Sequence, residues 1–217
     1  MTPRQELLHW REVLATTPGD YDAMYDLAVV LRKPRRALEA VPLLQAVIAA
    51  QPAALDAHLV LANAYTNLKQ YELAKREFKA VLNVDPRNVS ALNNYGRMLR
   101  LADRYAEAEA VVREGLTIAP DDADLHRNLA ATLYCLFRDN ETAAEYRTAG
   151  LLRVGDAQTR IHAGDILADL NEWQDAKQEY EHALVCKPND KTIKRKIRRA
   201  ASRARRDDRR RQKPAAR

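Results

Sequence analysis

Glycine is scarce in this chain, six in 217 residues, and phenylalanine, tryptophan and cysteine occur only twice each. No glycine-rich loop of the kind that cradles phosphates is present. Cys135 and Cys186 form no CxxC pair and join no His/Cys cluster with zinc-ligand spacing, so both read as reduced, partly buried spectators. No apolar run approaches the ~20 residues a bilayer crossing needs. The opening Met-Thr-Pro-Arg-Gln-Glu-Leu-Leu-His-Trp lacks the basic start and apolar core of a secretory signal. These absences lead us to expect a soluble, cytoplasmic, helix-rich chain without membrane insertion. Catalytic groupings are also lacking. The five histidines, His9, His58, His126, His162 and His182, are scattered, and carboxylates such as Asp121-Asp122 are explained as turn and cap residues. We therefore expect no enzyme activity, no metal and no cofactor.

What is present is apolar material, 47% of the residues, which is enough for a sizeable core, together with 30% charged residues. The charge is unevenly placed. Residues 191–217 hold 14 Lys and Arg against only Asp207 and Asp208, leaving 22 basic and 28 acidic residues elsewhere. A tail of about +12 thus follows a body of about −6.

A period of 34 residues organises the whole chain. Proline stands at 18, 52, 86, 120 and 188, with Val154 in the remaining register. A bulky residue recurs as Trp10, Leu44, Phe78, Val112, Tyr146 and Tyr180, and a small one as Ala28, Ala62, Gly96, Ala130 and Gly164. Small residues let two helices approach while large ones fill the groove between them. Ala40, Ala74, Ala108 and Ala176 mark a second close-contact phase, broken by Thr142, and Tyr71, Tyr105 and Trp173 add a ring near the turn between helices.

These positions resemble the tetratricopeptide repeat (TPR) signature, and Leu55 to Asn88, with Leu61, Ala62, Tyr65, Tyr71, Ala74, Phe78, Val81 and Pro86, is its clearest copy. The resemblance implies an all-α, right-handed superhelical solenoid in which each unit runs helix A, tight turn, helix B. Five units follow, residues 21–54, 55–88, 89–122, 123–156 and 157–190. An N-terminal capping helix lies within residues 1–20, and a basic C-terminal solvating helix and tail within 191–217.

Local chemistry supports these boundaries. Asp20, Asn88, Asp122, Asp156 and Asp190, all in one phase with Ala54 as the exception, stand where helix A begins and free N–H groups need acceptors. Thr2-Pro3-Arg4-Gln5 reads as a capping box opening a lone helix B over residues 3–15. Ile193, Ile197, Ala200 and Ala204 keep one apolar stripe on an otherwise basic end helix, as a solenoid terminus requires. Two departures carry expectations. Pro42 falls inside helix B of the first unit and predicts a kink near residues 38–42. The fourth unit, with Asp139, Thr142 and Val154-Gly155, is expected to alter curvature or form a soft joint.

In the resembling fold, helix A of each unit lines a concave groove, so its polar residues are candidate ligand contacts. Asn63, Thr66, Asn67, Asn93, Asn94, Arg97, Arg100, Arg127, Asn128 and Tyr134 are expected there, with Tyr25 and Asp26 at one end and His162 and Asp165 at the other. Asparagine amides can clamp an extended peptide backbone, and arginines can pair bidentately with a carboxylate. The expected partner is a protein segment that is acidic or ends in a free carboxylate. Asn63 and Asn94 match the asparagine positions of the chaperone-tail clamp of some TPR domains, but Leu59 and Asp124 replace its lysines and Asn128 its arginine. Binding to a heat-shock chaperone tail is therefore not expected.

The tail offers Arg198, Arg199, Arg203, Arg205, Arg206, Arg209, Arg210 and Arg211. Three readings stand side by side: non-specific contact with nucleic-acid phosphates, a solvated helix end, or an arm lying on the acidic body. Engaging about six phosphates would give log affinity against log salt a slope of roughly −5, with little base preference because no aromatic residue is interleaved. His58 and His126 share one phase and are expected to pack against the neighbouring helix rather than hold metal. A monomer is expected.

Overall fold

The structure, a computed structural model, describes residues 1–31 and 36–211. Twelve α-helices and no strands occur among them: α1 (Pro3–Thr16), α2 (Tyr21–Leu31), α3 (Ala37–Ala50), α4 (Leu55–Asn67), α5 (Tyr71–Val84), α6 (Val89–Leu101), α7 (Tyr105–Ile118), α8 (Ala123–Cys135), α9 (Asp139–Leu152), α10 (Ala157–Asp169), α11 (Trp173–Cys186) and α12 (Lys191–Arg211). They form two compact units, residues 1–111 and 112–217, which divide inside α7.

In the first unit each helix from α1 to α6 packs on the next, and the A helices also meet one another, α2 with α4 and α4 with α6. That second set of contacts makes a stack of pairs. Ala28, Ala62 and Ala74 are completely buried, as are Leu44 and Phe78 of the bulky phase. The ring of Phe78 stands 5.7 Å from that of Tyr95 on α6, so the bulky residue of one repeat seals against helix A of the next. In the second unit α8 to α12 pack in the same sequential manner. There Gly164 is forced by the period. A Cβ at this position would lie 2.5 Å from the Tyr180 ring.

The expected caps are present. Asp20, Asn88, Asp122, Asp156 and Asp190 accept from backbone N–H groups two or three residues ahead, whereas Ala54 leaves α4 without a side-chain cap. Thr2 and Gln5 close the capping box of α1. Helix α3 continues through Pro42, an exposed residue in its second turn whose missing N–H removes the bond to the Leu38 carbonyl.

The turn from helix A to helix B carries a feature the composition did not announce. Lys69, Asp103, Phe137 and Asn171, spaced one repeat apart, all adopt φ between 58° and 63°. The residue after each donates back to the fifth residue before it, as Gln70 does to Tyr65 and Arg138 to Leu133. This is a Schellman closure, built without glycine. Where the fourth repeat lacks its proline, Gly155 takes φ 97° while the Asp156 N–H to Arg153 carbonyl bond is kept. At this position the turn therefore differs in type from those that carry proline.

Candidate functional site

The expected polar face divides between the two units. In the first, Asn63 and Asn67 lie on α4, and Asn94, Arg97 and Arg100 on α6. Arg97 and Asn63 occupy one phase in successive repeats, and Arg97 Nη2 donates to Asn63 Oδ1 at 3.0 Å. The Asn63 amide donates in turn to the Leu59 carbonyl one turn back, and that of Asn94 to Ser90. Asn67 is also engaged. Each of these asparagines thus already has an interaction within the protein.

The arginines are less well provided for. Arg100 sits one turn after Arg97, and no carboxylate pairs with either among the described residues. Burial and then the nearby Arg100 charge hold the Arg97 guanidinium below its usual range. Arg100 Nε is buried without a hydrogen-bond partner, an arrangement that costs roughly 1–3 kcal/mol, or more for a charged group, unless something completes it.

The second unit treats its share differently. Arg127 Nη2 is bound to Asp124 one turn earlier at 2.6 Å, and Asp124 also accepts two bonds from Arg153 at 3.0 and 2.6 Å. Burial pushes the Asp124 carboxyl up, but the bonds and charges of Arg153 and Arg127 outweigh it and hold the group below its ordinary value. Asn128, expected to face a ligand, is only 9% exposed and already has a partner, a correction that follows from its place on the packed side of α8. Tyr134 is open to solvent, with 54% exposure. Asp165 accepts from the Tyr180 hydroxyl at 2.7 Å and pairs with Lys196, so α11 and α12 claim it.

The basic tail is helical as far as Arg211. Ile193 and Ala200 are buried, while Arg198, Arg199, Arg205 and Arg206 are exposed. Arg203 lies over the Trp173 ring at 5.7 Å, and Lys196 over that of Tyr180 at 5.5 Å. The side chains of Arg209, Arg210 and Arg211, and all of residues 212–217, lie outside the described residues. Among those described, no helix is long and apolar enough to cross a membrane, and no group of three potential metal ligands occurs.

Sequence reading missed the polar pairs that join helix A to helix B. His58 Nδ1 meets Glu77 at 2.6 Å, His126 meets Glu145 at 2.6 Å and Arg160 meets Glu179 at 2.9 Å, all 19 residues apart. The signal was available as two positions that change character together, because Leu92 and Val111 fill the same pair of phases in the third repeat. The histidines do pack on the neighbouring helix, as expected, but through a carboxylate.

Comparison with known proteins accords with this architecture. A family profile described as Tetratricopeptide repeat matches residues 25–74 and 59–123. Type IV pilus assembly protein PilF of Pseudomonas aeruginosa is 27% identical over 132 residues, 60% of this chain and 52% of PilF. Protein O-mannosyl-transferase Tmtc3 of Drosophila melanogaster is 29% identical over 131 residues, 58% of this chain but 14% of the relative. The chain thus spans about half or less of these relatives. The solved PilF structure superposes with a TM-score of 0.68 at 22% identity, covering 84% of this chain and 88% of PilF. A tetratricopeptide repeat protein from Parabacteroides merdae gives 0.72 at 16% identity, covering 92% and 78%. With its 34-residue period, its helix pairs and these likenesses, the chain has the tetratricopeptide repeat fold, and residues 25–123 match the tetratricopeptide repeat profile itself.

Proposed function

We propose that the chain is a non-catalytic, cytoplasmic adaptor that binds a partner protein on the helix-A face of its second and third repeats. Tetratricopeptide repeats generally mediate contacts between proteins. The bound segment is acidic or ends in a free carboxylate, and Arg97 and Arg100 receive it, with Asn63, Asn67 and Asn94 aligning its backbone. One observation carries the reading: two guanidiniums one turn apart lack any carboxylate among the described residues, and Arg100 Nε is buried and unpartnered. An incoming carboxylate supplies the missing acceptors, and the charge-assisted bonds gain strength from partial desolvation. Arg127, already neutralised by Asp124, contributes less.

The test is a nuclease-treated pulldown from lysate of the source organism with wild-type, Arg97→Glu/Arg100→Glu and Arg127→Glu baits. A discrete protein should survive nuclease, be lost with the first variant and be largely kept with the second. Equal capture by wild type and Arg97→Glu/Arg100→Glu would remove the site from consideration.

A further inference from the structure

Helix α12 opens in the phase of helix A. Its cap Asp190 continues the series Asp20, Asn88, Asp122 and Asp156, and Lys191 stands where Tyr21, Leu55, Val89, Ala123 and Ala157 begin the A helices. It is the first half of a sixth unit, and within the described residues no helix B follows it. The stripe of Ile193, Ala200 and Ala204 is buried in the second unit, as in a complete repeat. The adjoining flank, which in a complete repeat would receive helix B, carries a concavity of about 440 Å³ lined by Arg198, Ala201, Ser202, Arg205, Arg206 and the outer edge of Ile197, whose other side packs against the core of the second unit.

The repeat itself says what belongs opposite this flank. His58, His126 and Arg160, on the A helices α4, α8 and α10, each bind a glutamate of helix B, and the residue of α12 in that phase is Lys194. The next contact phase, small in every complete repeat (Ala28, Ala62, Gly96, Ala130, Gly164), is Arg198, and the bulky phase of Leu31, Tyr65, Leu99, Leu133 and Leu167 is reduced to Ala201. The slot therefore has a small apolar floor between cations. No Asp or Glu occurs from Lys191 to Arg206, and no carboxylate pairs with Lys194, Arg198, Arg205 or Arg206 among the described residues.

We infer that this flank docks an amphipathic helix of a partner protein whose apolar edge rests on Ile197 and Ala201 and whose carboxylates face Lys194, Arg198, Arg205 and Arg206. The surface is separate from the Arg97–Arg100 site and does not depend on it. Helix α12 is set in place beforehand by the Lys196 pairing with Asp165 and the stacking of Arg203 on Trp173. Like charges a turn or two apart, such as Arg195 with Arg199 and Arg198 with Arg205, repel in the free helix and are relieved by an acidic partner. A lipid surface fits poorly, since the apolar stripe of the helix is already spent inside the protein.

The experiment uses the full chain and a fluorescent, stapled helical peptide with the sequence of residues 173–186 carrying Lys177→Glu, stapled because so short a helix is otherwise marginal in water. A control peptide has its Asp and Glu replaced by Asn and Gln. The acidic peptide should bind at least tenfold more tightly than the control. Arg198→Glu/Arg205→Glu should weaken it at least tenfold, Ala201→Trp should weaken it by filling the slot, and Arg97→Glu/Arg100→Glu should leave it unchanged. Circular dichroism checks that the variants keep their helix content. Equal binding of both peptides, or no loss in Arg198→Glu/Arg205→Glu, overturns the inference. So does capture of a 20-base-pair duplex with no binding of the acidic peptide, which would make the flank a phosphate-binding surface. A concentration-dependent dimer abolished by Arg198→Glu/Arg205→Glu overturns it in favour of a second copy of the chain.

Discussion

His58 on α4 sets its Nδ1 2.6 Å from Glu77 Oε2 on α5, while its Nε2 lies 3.1 Å from the Pro52 carbonyl oxygen. The ring is thus held between a side chain of helix B and the backbone of the preceding turn. The arrangement is repeated by His126, Glu145 and Pro120. In both pairs the side chains are largely buried, 13% and 22% exposed in the first.

Removing one member of such a pair strands the other. Glu77→Val or His58→Leu alone should cost about 1–3 kcal/mol. The double change imports the Leu92 and Val111 pair of the third repeat and should restore most of that loss. Denaturant unfolding of the four proteins measures the coupling; additive losses would mean that the pair does not act as a unit.

Gly164 has no room for a methyl group, because its Cβ would meet Tyr180 Cε1 at 2.5 Å and Cδ1 at 2.8 Å. Gly164→Ala gains helix propensity of about 1 kcal/mol but forces the ring aside at a cost of about 1–3 kcal/mol. A net loss in thermal midpoint is expected. It should shrink when Tyr180→Leu is added, and an unchanged midpoint would contradict the close approach.

Phe137 holds φ 58° with 90% of its surface in solvent, so nothing packed repays the left-handed backbone. Asp103 and Asn171, residue types that tolerate this region, stand in the same phase. Phe137→Asn should stabilise the chain by about 0.5–1 kcal/mol, read as a raised denaturation midpoint, whereas Phe137→Val should lower it.

The Asp124 carboxyl is depressed below 3.8 in the folded chain by Arg153 and Arg127, against the upward push of burial. A lowered folded value means that its contribution is complete above the ordinary value and is lost as pH falls through the folded one. Asp124→Asn should therefore flatten the fall in stability below about pH 4 and change little near neutrality in slope, though the Arg153 bonds weaken. Unfolding midpoints from about pH 2 to 6 check this; identical acid limbs for both proteins would refute it.

Some of the candidate site was legible early and some was not. Arg97 and Arg100 were recognised as a positive centre because their phase alone places them on helix A. Their lack of a carboxylate was not, since that depends on what every other element brings near. Arg127 looked equivalent in sequence, yet Arg153, 26 positions later in the chain, helps to lock its acid partner in a three-membered cluster. Asn128 shares the phase of Asn94, but small differences in packing bury one amide and leave the other partly open.

The period of 34 determined the helix pairs, their borders and their caps, because each rests on interactions within a few residues: a side-chain oxygen and an N–H three positions on, a proline in a turn, a small residue every repeat. Tertiary structure decided which polar groups are spent and which are free. His58 finding Glu77, Arg97 finding Asn63 and Arg100 Nε finding nothing are outcomes of contacts 19, 34 or more residues apart. A lost or gained hydrogen bond at such distances leaves no mark on local propensity, so only the packed helices could assign it.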